Sequence, residues 1–502
     1  MKKLIAIGLM VVFTVSIFAT NGMNMIGYGA RSSAMGGFSL GFIDVNSTNT
    51  NPSAISFINQ RELDVSLGLL MPKVNFKNSL NDLEAESNIF PLPNFSFVNG
   101  NENKFTFGLA FYSQGGMGAT FKDVKHNVFR NYDMNPQTQD DAFITDLEYQ
   151  SMIGYMKITP SVAYKVNDNF SVGIAPNFGY AMMEMKMPYS LKPAIMKGVA
   201  NPETGMTFGD MFGAPMEQGG LGYEEVTAYA DMGDAVTAYG FGARLGASYK
   251  VNDMVSFGLA YGSKSSLTFE GESKMDMTAQ FGQAYERMVG GALQQGAADL
   301  ETAQNTINQQ LVGMGIDMSL GMVSDYDVEV EMAWPQEFGM GMALTPNQKL
   351  LLGIDVKWIN WKDAMDEFKM KFTDGTNQNI NAMMGSEDLN LSMPLDWDDQ
   401  IVIALGAEYR MNNNIALRCG YNYANNPVPE ETIIPIFPAV IENHITLGFG
   451  YQLSEKLGFD AAYELNLEKE MEVSNSINAN EYDGSVQSLS ENVAHLGLRY
   501  KF

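Results

Sequence analysis

The feature of this sequence that most constrains its fold is a two-residue alternation of apolar and polar side chains. In the last nine residues, AHLGLRYKF, one face of an extended strand carries Ala494, Leu496, Leu498, Tyr500 and Phe502. The other face carries His, Gly, Arg and Lys. Such a strand has one face suited to lipid and one face suited to water.

The same alternation recurs along most of the chain, in segments longer than the strands of ordinary β proteins. Strands of soluble sandwiches have about five to six residues, whereas a tilted strand that crosses a bilayer needs about nine to eleven. The segments reach that length and predict transmembrane β-strands. Further copies begin at Leu63, Phe105, Phe170, Val255, Leu350, Ile401, Ile415 and Leu457.

The first residues have the pattern of a secretory signal peptide. Lys2 and Lys3 are followed by an apolar run over residues 4–18 and by the small residue Ala19. The run is shorter than the roughly twenty residues of a spanning helix. We therefore expect residues 1–19 to direct export and to be removed. The mean hydropathy of -0.11 is also too low for a helical membrane protein.

The connections between the alternating segments indicate the topology. Short Asn- and Asp-rich turns alternate with long irregular segments, and the strands between them number about fourteen, the even count typical of outer-membrane barrels. We therefore predict an all-β membrane fold, a 14-stranded antiparallel β-barrel over residues 61–502. The turns lie at 99–103, 167–169, 252–253, 345–348, 412–414 and 454–456, and the long segments at 72–88, 122–146, 188–234, 275–323, 374–395, 425–440 and 473–486.

Two extracellular loops, at about 188–234 and 275–323, depart from the strand pattern. Apolar residues from Phe281 to Leu311 recur every three or four positions, which favours helices broken near Gly290 and Gly291. The first loop carries several of the chain's 36 methionines. These methionines either pack against neighbouring loops or form an adaptable apolar landing surface. They are Met196, Met206, Met211 and Met216.

Residues 20–60 are rich in Gly, Ser and Asn and precede the first strand. A disordered tail is one interpretation of this composition. However, a barrel of about fourteen strands encloses a lumen wider than wall side chains alone can fill. We therefore predict that residues 20–60 form a hatch, or plug, inside the lumen.

Three blocks of the sequence resemble the FadL family of outer-membrane long-chain fatty acid and hydrocarbon transporters. The Gly-rich run at 27–55 leads to Asn51 and Pro52, with Ser53 in place of the usual Ala. Residues 333–368 and 409–464 resemble later strand pairs of the family, and the blocks occur in the same order. The matching residues there include Trp334, Pro335, Asp355, Trp358, Trp361, Arg418, Gly420, Tyr421, Pro427, Pro429 and Gly450.

The resemblance implies a monomer in the bacterial outer membrane that takes up hydrophobic small molecules, above all long-chain fatty acids. Passage would be passive, through hatch movement or through a lateral opening beside a kinked third strand. Gly115, Gly116 and Gly118 are candidates for that kink, although a Gly-rich strand end explains them equally well. The resemblance also implies that the barrel assembly machinery recognises the terminal Phe502.

A cargo carboxylate would need a cation in the lumen. Arg31, Arg244, Lys357 and Arg418 lie on polar faces or in the hatch and are the candidate ligand-binding residues. Arg499 also lies on a polar face. The alternative is that these cations pair with acids across the barrel wall. The candidate acids are Asp355, Glu408, Asp460 and Glu464.

Other functions remain open or are disfavoured by composition. An aromatic hydrocarbon importer, a barrel component of a protein secretion system and a polar porin are the alternatives. The net charge of -27 disfavours nucleic acid binding; the acidic loops are solvated or contact lipopolysaccharide through divalent cations. The three histidines, His126, His444 and His495, show no catalytic or metal-ligand spacing, and a lipase using His495 is the remaining enzyme hypothesis. We expect no enzyme, metal or cofactor, and an apolar role for Cys419.

Overall fold

The computed structural model describes residues 21–128 and 144–502 and shows a closed β-barrel of fourteen strands. The predicted signal peptide lies outside the described residues. Five strands consist of two segments each. In chain order the strands are β1 (Arg61–Lys77), β2 (Asp82–Glu84 and Phe90–Asn99), β3 (Phe105–Asn127), β4 (Ile144–Lys165), β5 (Phe170–Leu191), β6 (Val226–Lys250), β7 (Val255–Gly262 and Ser265–Asp276), β8 (Val323–Trp334 and Glu337–Asn347), β9 (Leu350–Ile359 and Glu367–Thr373), β10 (Leu389–Pro394 and Gln400–Arg410), β11 (Ile415–Ala424), β12 (Asn443–Gln452), β13 (Leu457–Glu472) and β14 (Val486–Lys501).

The barrel closes between its first and last strands. β1 pairs with β14 in an unbroken antiparallel register, from Glu62 opposite Lys501 to Lys77 opposite Val486. Closure removes the free sheet edges that lipid could not satisfy with hydrogen bonds. The predicted fold class and strand number are confirmed. Among the described residues, none of the helices has the length and apolar character needed to cross a bilayer.

The alternation places apolar side chains on the outside of the barrel. Leu496 and Leu498 are 58% and 51% exposed, whereas His495 between them is 4% exposed. Short turns lie at the end of the barrel where β1 begins and β14 ends, and long segments lie at the other end. In barrels of this kind the short turns are periplasmic and the long loops extracellular.

The long loops differ in detail from the prediction. The loop after β7 contains two helices, Thr278–Gln294 and Leu300–Gly313. The predicted break at Gly290 and Gly291 is wrong, because both lie inside the first helix, and the chain turns instead at Gly296, which has a positive φ of 103°. The segment predicted at 188–234 is shorter, since β5 and β6 continue to pair as a hairpin as far as Leu191 and Val226.

The N-terminal segment, residues 21–60, contacts strands on all sides of the barrel. It contains α1 (Gly29–Ser33), α2 (Ser47–Thr50) and a 3-10 helix (Pro52–Phe57). Of residues 21–58, all but four are buried; the other four are partly buried. The segment forms hydrogen bonds with β2, β5, β6, β9, β10 and β11, strands that lie around the whole circumference. It therefore occupies the lumen.

Apolar side chains fill the lumen between the N-terminal segment and the extracellular loops. Three tryptophans form a chain of ring contacts, with 6.1 Å between the centroids of Trp334 and Trp361 and 5.2 Å between those of Trp361 and Trp397. Met196 and Met211 of the loop after β5 belong to the same cluster, so these two methionines pack inward. We call this region the methionine-rich cluster. Other members include Met183, Met185, Met187, Met232, Met277, Met322, Met370 and Met383.

The outward position of Leu447 gives a test of the membrane-embedded surface. Leu447 lies in the middle of β12 and is 60% exposed, whereas Leu453 lies just beyond β12 at a periplasmic turn and is 54% exposed. Leu447→Arg should lower the free energy of unfolding in lipid vesicles by about 2–4 kcal/mol, and Leu453→Arg by about 0–1 kcal/mol. Equal costs in denaturant titrations would contradict the placement of β12 in the bilayer.

Candidate functional site

The third strand of the barrel has a bulge where the sequence predicts a kink. Ser113 pairs with Met156 and Gly115 pairs with Tyr155, so Gln114 is one extra residue in β3. The alternation of burial is lost here, since every residue from 112 to 119 is buried. The bulge therefore moves this part of β3 into the barrel interior.

The displacement interrupts the pairing of β2 with β3. The ladder between the two strands runs from Asn99 opposite Phe107 to Asn94 opposite Tyr112 and stops there. Nearer the extracellular end, Glu86 N donates to Thr120 O at 2.8 Å. Between these points, an interruption in the strand pairing separates residues 87–93 from residues 113–119 of β3. We call it the β2–β3 gap.

The beginning of the N-terminal segment closes the β2–β3 gap from inside. Gly116 N donates to Met23 O at 3.0 Å, and Met25 N donates to Gln114 O at 3.2 Å. The side-chain oxygen of Asn24 accepts hydrogen bonds at 2.7 Å from Gln114 Nε2 and from Trp334 Nε1. Backbone groups of β3 that lack a partner in β2 thus bond with residues 23–25.

The three glycines of the predicted kink contribute differently. A Cβ added to Gly115 would collide with the carbonyl oxygen of Met23, so the close approach of the N-terminal segment requires glycine at this position. Gly116 supplies the amide that bonds with Met23, and Gly118 pairs with Met152 of β4 beyond the bulge. Sequence reasoning did not identify Gln114, the bulged residue itself.

Two of the predicted ligand-binding cations, Arg244 and Lys357, lie together in the middle of the lumen. Arg244 forms an ion pair with Glu337, and its Nη1 donates to Thr50 O at 3.3 Å. The ion pairs of the described residues include neither Lys357 nor the nearby Lys157. Lys157 is 5% exposed, and its Nζ lies 4.9 Å from the centre of the Tyr155 ring. We call Lys157, Arg244 and Lys357 the cationic cluster.

A small cavity separates this cluster from the N-terminal segment. Its volume is about 20 Å³, and Asn21, Tyr28, Arg244, Glu337 and Lys357 are among the residues that line it. Burial raises the pKa of Tyr28 well above its ordinary value, so the phenol remains a neutral hydrogen-bonding group. The cavity is too small for cargo, so binding beside Lys357 requires residues 21–28 to move.

The other two predicted cations, Arg31 and Arg418, lie in a separate network at the periplasmic end. Glu408 accepts from Arg31 at 2.9 Å and from Arg418 at 2.8 Å. Arg418 also pairs with Asp460 at 2.7 Å, and Arg31 with Asp44 at 3.0 Å. This network joins α1 to β10, β11 and β13. Both arginines have carboxylate partners, so their geometry indicates anchoring of the N-terminal segment.

The hatch motif residue Asn51 is held by the barrel wall. Its Nδ2 donates to Leu40 O at 3.0 Å and to Ser248 Oγ at 3.1 Å, and its Oδ1 accepts from Ser53 N. Pro52 begins the 3-10 helix and packs beside Gly173 and Gly246, glycines that let the backbone approach closely. These contacts fix the C-terminal part of the segment against β5 and β6.

Two of the predicted acid partners do not bind arginine. Asp355 instead accepts from the backbone amides of Ser39 and Leu40 at 2.8 and 2.9 Å. Glu464 pairs with His495 at 2.8 Å. The expectation of arginine partners is correct for Glu408 and Asp460 only. Sequence reasoning also missed Lys157, although its position among the polar residues of β4 was a usable signal.

A closed barrel whose lumen is occupied by its own N-terminal segment belongs to the class of plugged outer-membrane barrels. The chain belongs to the family described as outer membrane protein transport protein (OMPP1/FadL/TodX), whose profile matches residues 14–502. It is therefore an outer-membrane protein. The resemblance to the FadL family is confirmed.

Individual relatives are distant in sequence and close in fold. The long-chain fatty acid transport protein of Escherichia coli (strain K12) is 21% identical over 398 residues, which cover 77% of this chain and 74% of that protein. The Pseudomonas putida toluene transporter TodX aligns with a TM-score of 0.67 at 19% identity, over 95% of this chain and 99% of that one. A Pseudomonas aeruginosa FadL homologue aligns with a TM-score of 0.65 at 18% identity, over 97% of this chain and 100% of that one. The structural likenesses establish a shared fold.

Gly115→Ala tests the closure of the β2–β3 gap. The added methyl group should displace Met23 and expose residues 21–25. In a Cys419→Ala background, thiol labelling of Asn21→Cys should then accelerate by about tenfold. This corresponds to a loss of about 1.4 kcal/mol in the free energy that holds residues 21–25 in the closed position. Gly282→Ala is the control, because a Cβ there meets nothing within 4 Å. Equal labelling rates in both variants would contradict the contact.

Glu408→Gln tests the anchoring network. Removing this charge leaves Arg31 with Asp44 and Arg418 with Asp460 as their remaining carboxylates, so both buried arginines are only partly compensated. Breaking a buried ion pair completely costs about 3–5 kcal/mol. Hydrogen exchange should therefore accelerate across residues 29–44 while the barrel strands keep their protection. Glu470→Gln, at an exposed position of β13, should change neither. Unchanged exchange in Glu408→Gln would show that the network does not hold the segment.

Proposed function

We propose that the protein takes up hydrophobic compounds, most of all long-chain fatty acids, by passive diffusion through this barrel, with residues 20–60 acting as the hatch. The observation that carries the proposal is the β2–β3 gap. Residues 21–25, a stretch of only five residues, close this gap with a few hydrogen bonds. Displacing five residues is less costly than expelling the whole segment from its buried ion network. Cargo therefore leaves sideways, through the gap.

The methionine-rich cluster supports the first step of uptake. Methionine side chains are flexible and polarizable, so they can repack around varied apolar shapes. Transfer of cargo from water into such a region is favourable by roughly 25 cal/mol per Å² of apolar surface. Cargo that enters between the extracellular loops would thus be held by dispersion and burial, without a rigid preformed pocket.

The cationic cluster supports fatty acids as cargo. Among the described residues, neither Lys157 nor Lys357 forms a direct ion pair, although both lie near Glu337, the partner of Arg244. Lys157 pairs across the sheet with Tyr112 beside the bulge, and Lys357 lines the small cavity next to residues 21–25. A fatty acid carboxylate that reached them would gain a charge-assisted hydrogen bond in a buried setting. The predicted ligand contact is thus proposed for Lys357, and Lys157 is added to it. Arg244 would join them by exchanging the carboxylate of Glu337 for that of the cargo.

Aromatic hydrocarbon import is the second candidate. A neutral ring needs no cation, and the Trp334–Trp361–Trp397 contacts would offer it aromatic partners. The toluene transporter TodX shares the fold. Uptake of radiolabelled toluene, measured beside radiolabelled oleate, decides between the two cargo classes.

The remaining partners follow from the position in the membrane. Phe502 ends the chain beside β1, where its amide donates to Arg61 O at 3.1 Å and its ring is 56% exposed. That ring is available to the barrel assembly machinery. We further propose that the protein functions as a monomer and that its acidic loops contact lipopolysaccharide through divalent cations.

Deleting Gln114 tests the lateral route. Without the extra residue, β3 can pair with β2 along its length and close the gap. Oleate uptake by a host that lacks its own long-chain fatty acid transporter should fall to the background of the empty host. The folded, membrane-inserted fraction should match that of the wild type.

A disulfide provides the matched control. A Cβ on Gly497 would lie 3.3 Å from Cβ of Ala30, close to the spacing of a disulfide. Ala30→Cys with Gly497→Cys, in a Cys419→Ala background, should tie α1 to β14 and leave oleate uptake unchanged. Loss of uptake in the oxidised form would show that the whole hatch must move. Normal uptake by the variant without Gln114 would contradict the lateral route. If the wild type takes up no oleate and exported proteins co-purify with it, the secretion role is favoured.

A further inference from the structure

A row of polar side chains crosses four neighbouring strands on the inside of the barrel. Asn422 of β11 pairs with His444 of β12, His444 pairs with Asn466 of β13, and Asn466 pairs with Glu491 of β14. Glu464 lies two residues from Asn466 on the same face of β13. Cross-strand neighbours on one face lie about 5 Å apart, so these side chains form one continuous surface. We call Asn422, Glu464, Asn466 and Glu491 the acceptor belt.

Each member of the acceptor belt has an oxygen without a hydrogen-bond partner among the described residues. These atoms are Asn422 Oδ1, Glu464 Oε2, Asn466 Oδ1 and Glu491 Oε1. The four residues are at most 1% exposed. A buried polar group without a partner costs about 1–3 kcal/mol, so four in one row are not accounted for by stability.

The donors of the belt are already engaged. Asn422 Nδ2 donates to Gly36 O at 2.9 Å, and Asn466 Nδ2 donates to Glu491 Oε2 at 3.3 Å. His495 forms its ion pair with the other oxygen of Glu464. The atoms of the belt without a partner are therefore oxygens, and two histidines, His444 within the row and His495 beside Glu464, accompany its two carboxyl groups.

The belt lies between the N-terminal segment and the methionine-rich cluster. Asn422 contacts the N-terminal segment on one side. On the other side, Leu489 and Val493, which share the inward face of β14 with Glu491, belong to the methionine-rich cluster. An amphiphilic molecule with its chain among those apolar side chains would place its polar end at the belt.

We propose that the acceptor belt is a second cargo subsite, which binds the hydroxyl group of neutral amphiphiles such as alkanols and phenols. A hydroxyl donates the hydrogen bond that these oxygens lack, whereas a cargo carboxylate has no proton to donate and would meet the carboxylate of Glu464. The subsite rests on the proposed function, because it requires cargo in the lumen. It differs from the cationic cluster, which attracts anions, and extends the cargo range to neutral molecules that carry a hydroxyl group.

Matched ligands of one chain length test the subsite. Equilibrium binding of radiolabelled dodecane, 1-dodecanol and dodecanoate is measured on amphipol-held protein. Asn466→Leu keeps the side-chain shape and removes an acceptor, so the affinity for dodecanol should fall about three- to tenfold relative to dodecane. Glu464→Gln removes a negative charge, so the affinity for dodecanoate should rise several-fold. Glu470→Gln, an exposed carboxylate of β13, should change no ratio.

The possible results separate the two proposals. If dodecanol and dodecane keep their wild-type affinity ratio in Asn466→Leu, and dodecanoate binding is unchanged in Glu464→Gln, the subsite is refuted while the transport proposal stands. If the wild type binds none of the three ligands, the transport proposal fails and the subsite fails with it. Should Asn466→Leu not assemble, the dodecanoate result for Glu464→Gln alone decides.

Discussion

The structure depends on the requirement that every backbone amide and carbonyl within lipid find a hydrogen-bond partner in the protein. The pairing of β1 with β14 meets this requirement at the seam of the barrel. At the bulge of β3 it is met differently, since Gly116 and Gln114 bond with Met23 and Met25 of the N-terminal segment. The same hydrogen bonds therefore satisfy the wall and close the gap, and their release would open it.

The width of the lumen explains why the interior has two layers of different character. A fourteen-strand barrel cannot be filled by its wall side chains. Near the periplasm, the N-terminal segment is held by directional contacts, such as the Arg31–Glu408 ion pair and the amides that donate to Asp355. Near the outside, the methionine-rich cluster is held by non-directional packing. The first layer is suited to stay in place, and the second is suited to rearrange around cargo.

Much of this architecture could be predicted from sequence because its causes are local. A two-residue period read from residues 494–502 fixes which side chains face lipid, and Asn-rich turns such as 412–414 mark the periplasmic end. The glycines at 115, 116 and 118 indicated the kink. Strand ends were less predictable: β5 and β6 continue beyond the membrane to Leu191 and from Val226, where pairing no longer requires a lipid-facing pattern.

The site was harder to predict because it depends on which residues meet across the lumen. Arg244 and Arg418 have the same sequence signal, yet one lies beside Lys357 and the other binds Glu408 and Asp460. Gln114 is an ordinary polar residue until the register places it outside the ladder. Gly290 and Gly291 show the opposite case, a strong local signal without the expected effect. They are poor helix formers, yet the helix continues through them because its neighbouring turns compensate.

The central claim is that residues 21–25 close the β2–β3 gap and move away from it when cargo passes. Pulsed electron paramagnetic resonance between spin labels at Asn24 and at the lipid-facing Phe107 of β3, in a protein without Cys419, measures this directly. A single short distance without cargo, joined by a second, longer population when oleate is added, is the result that the account predicts. One unchanged distance at saturating oleate would contradict it.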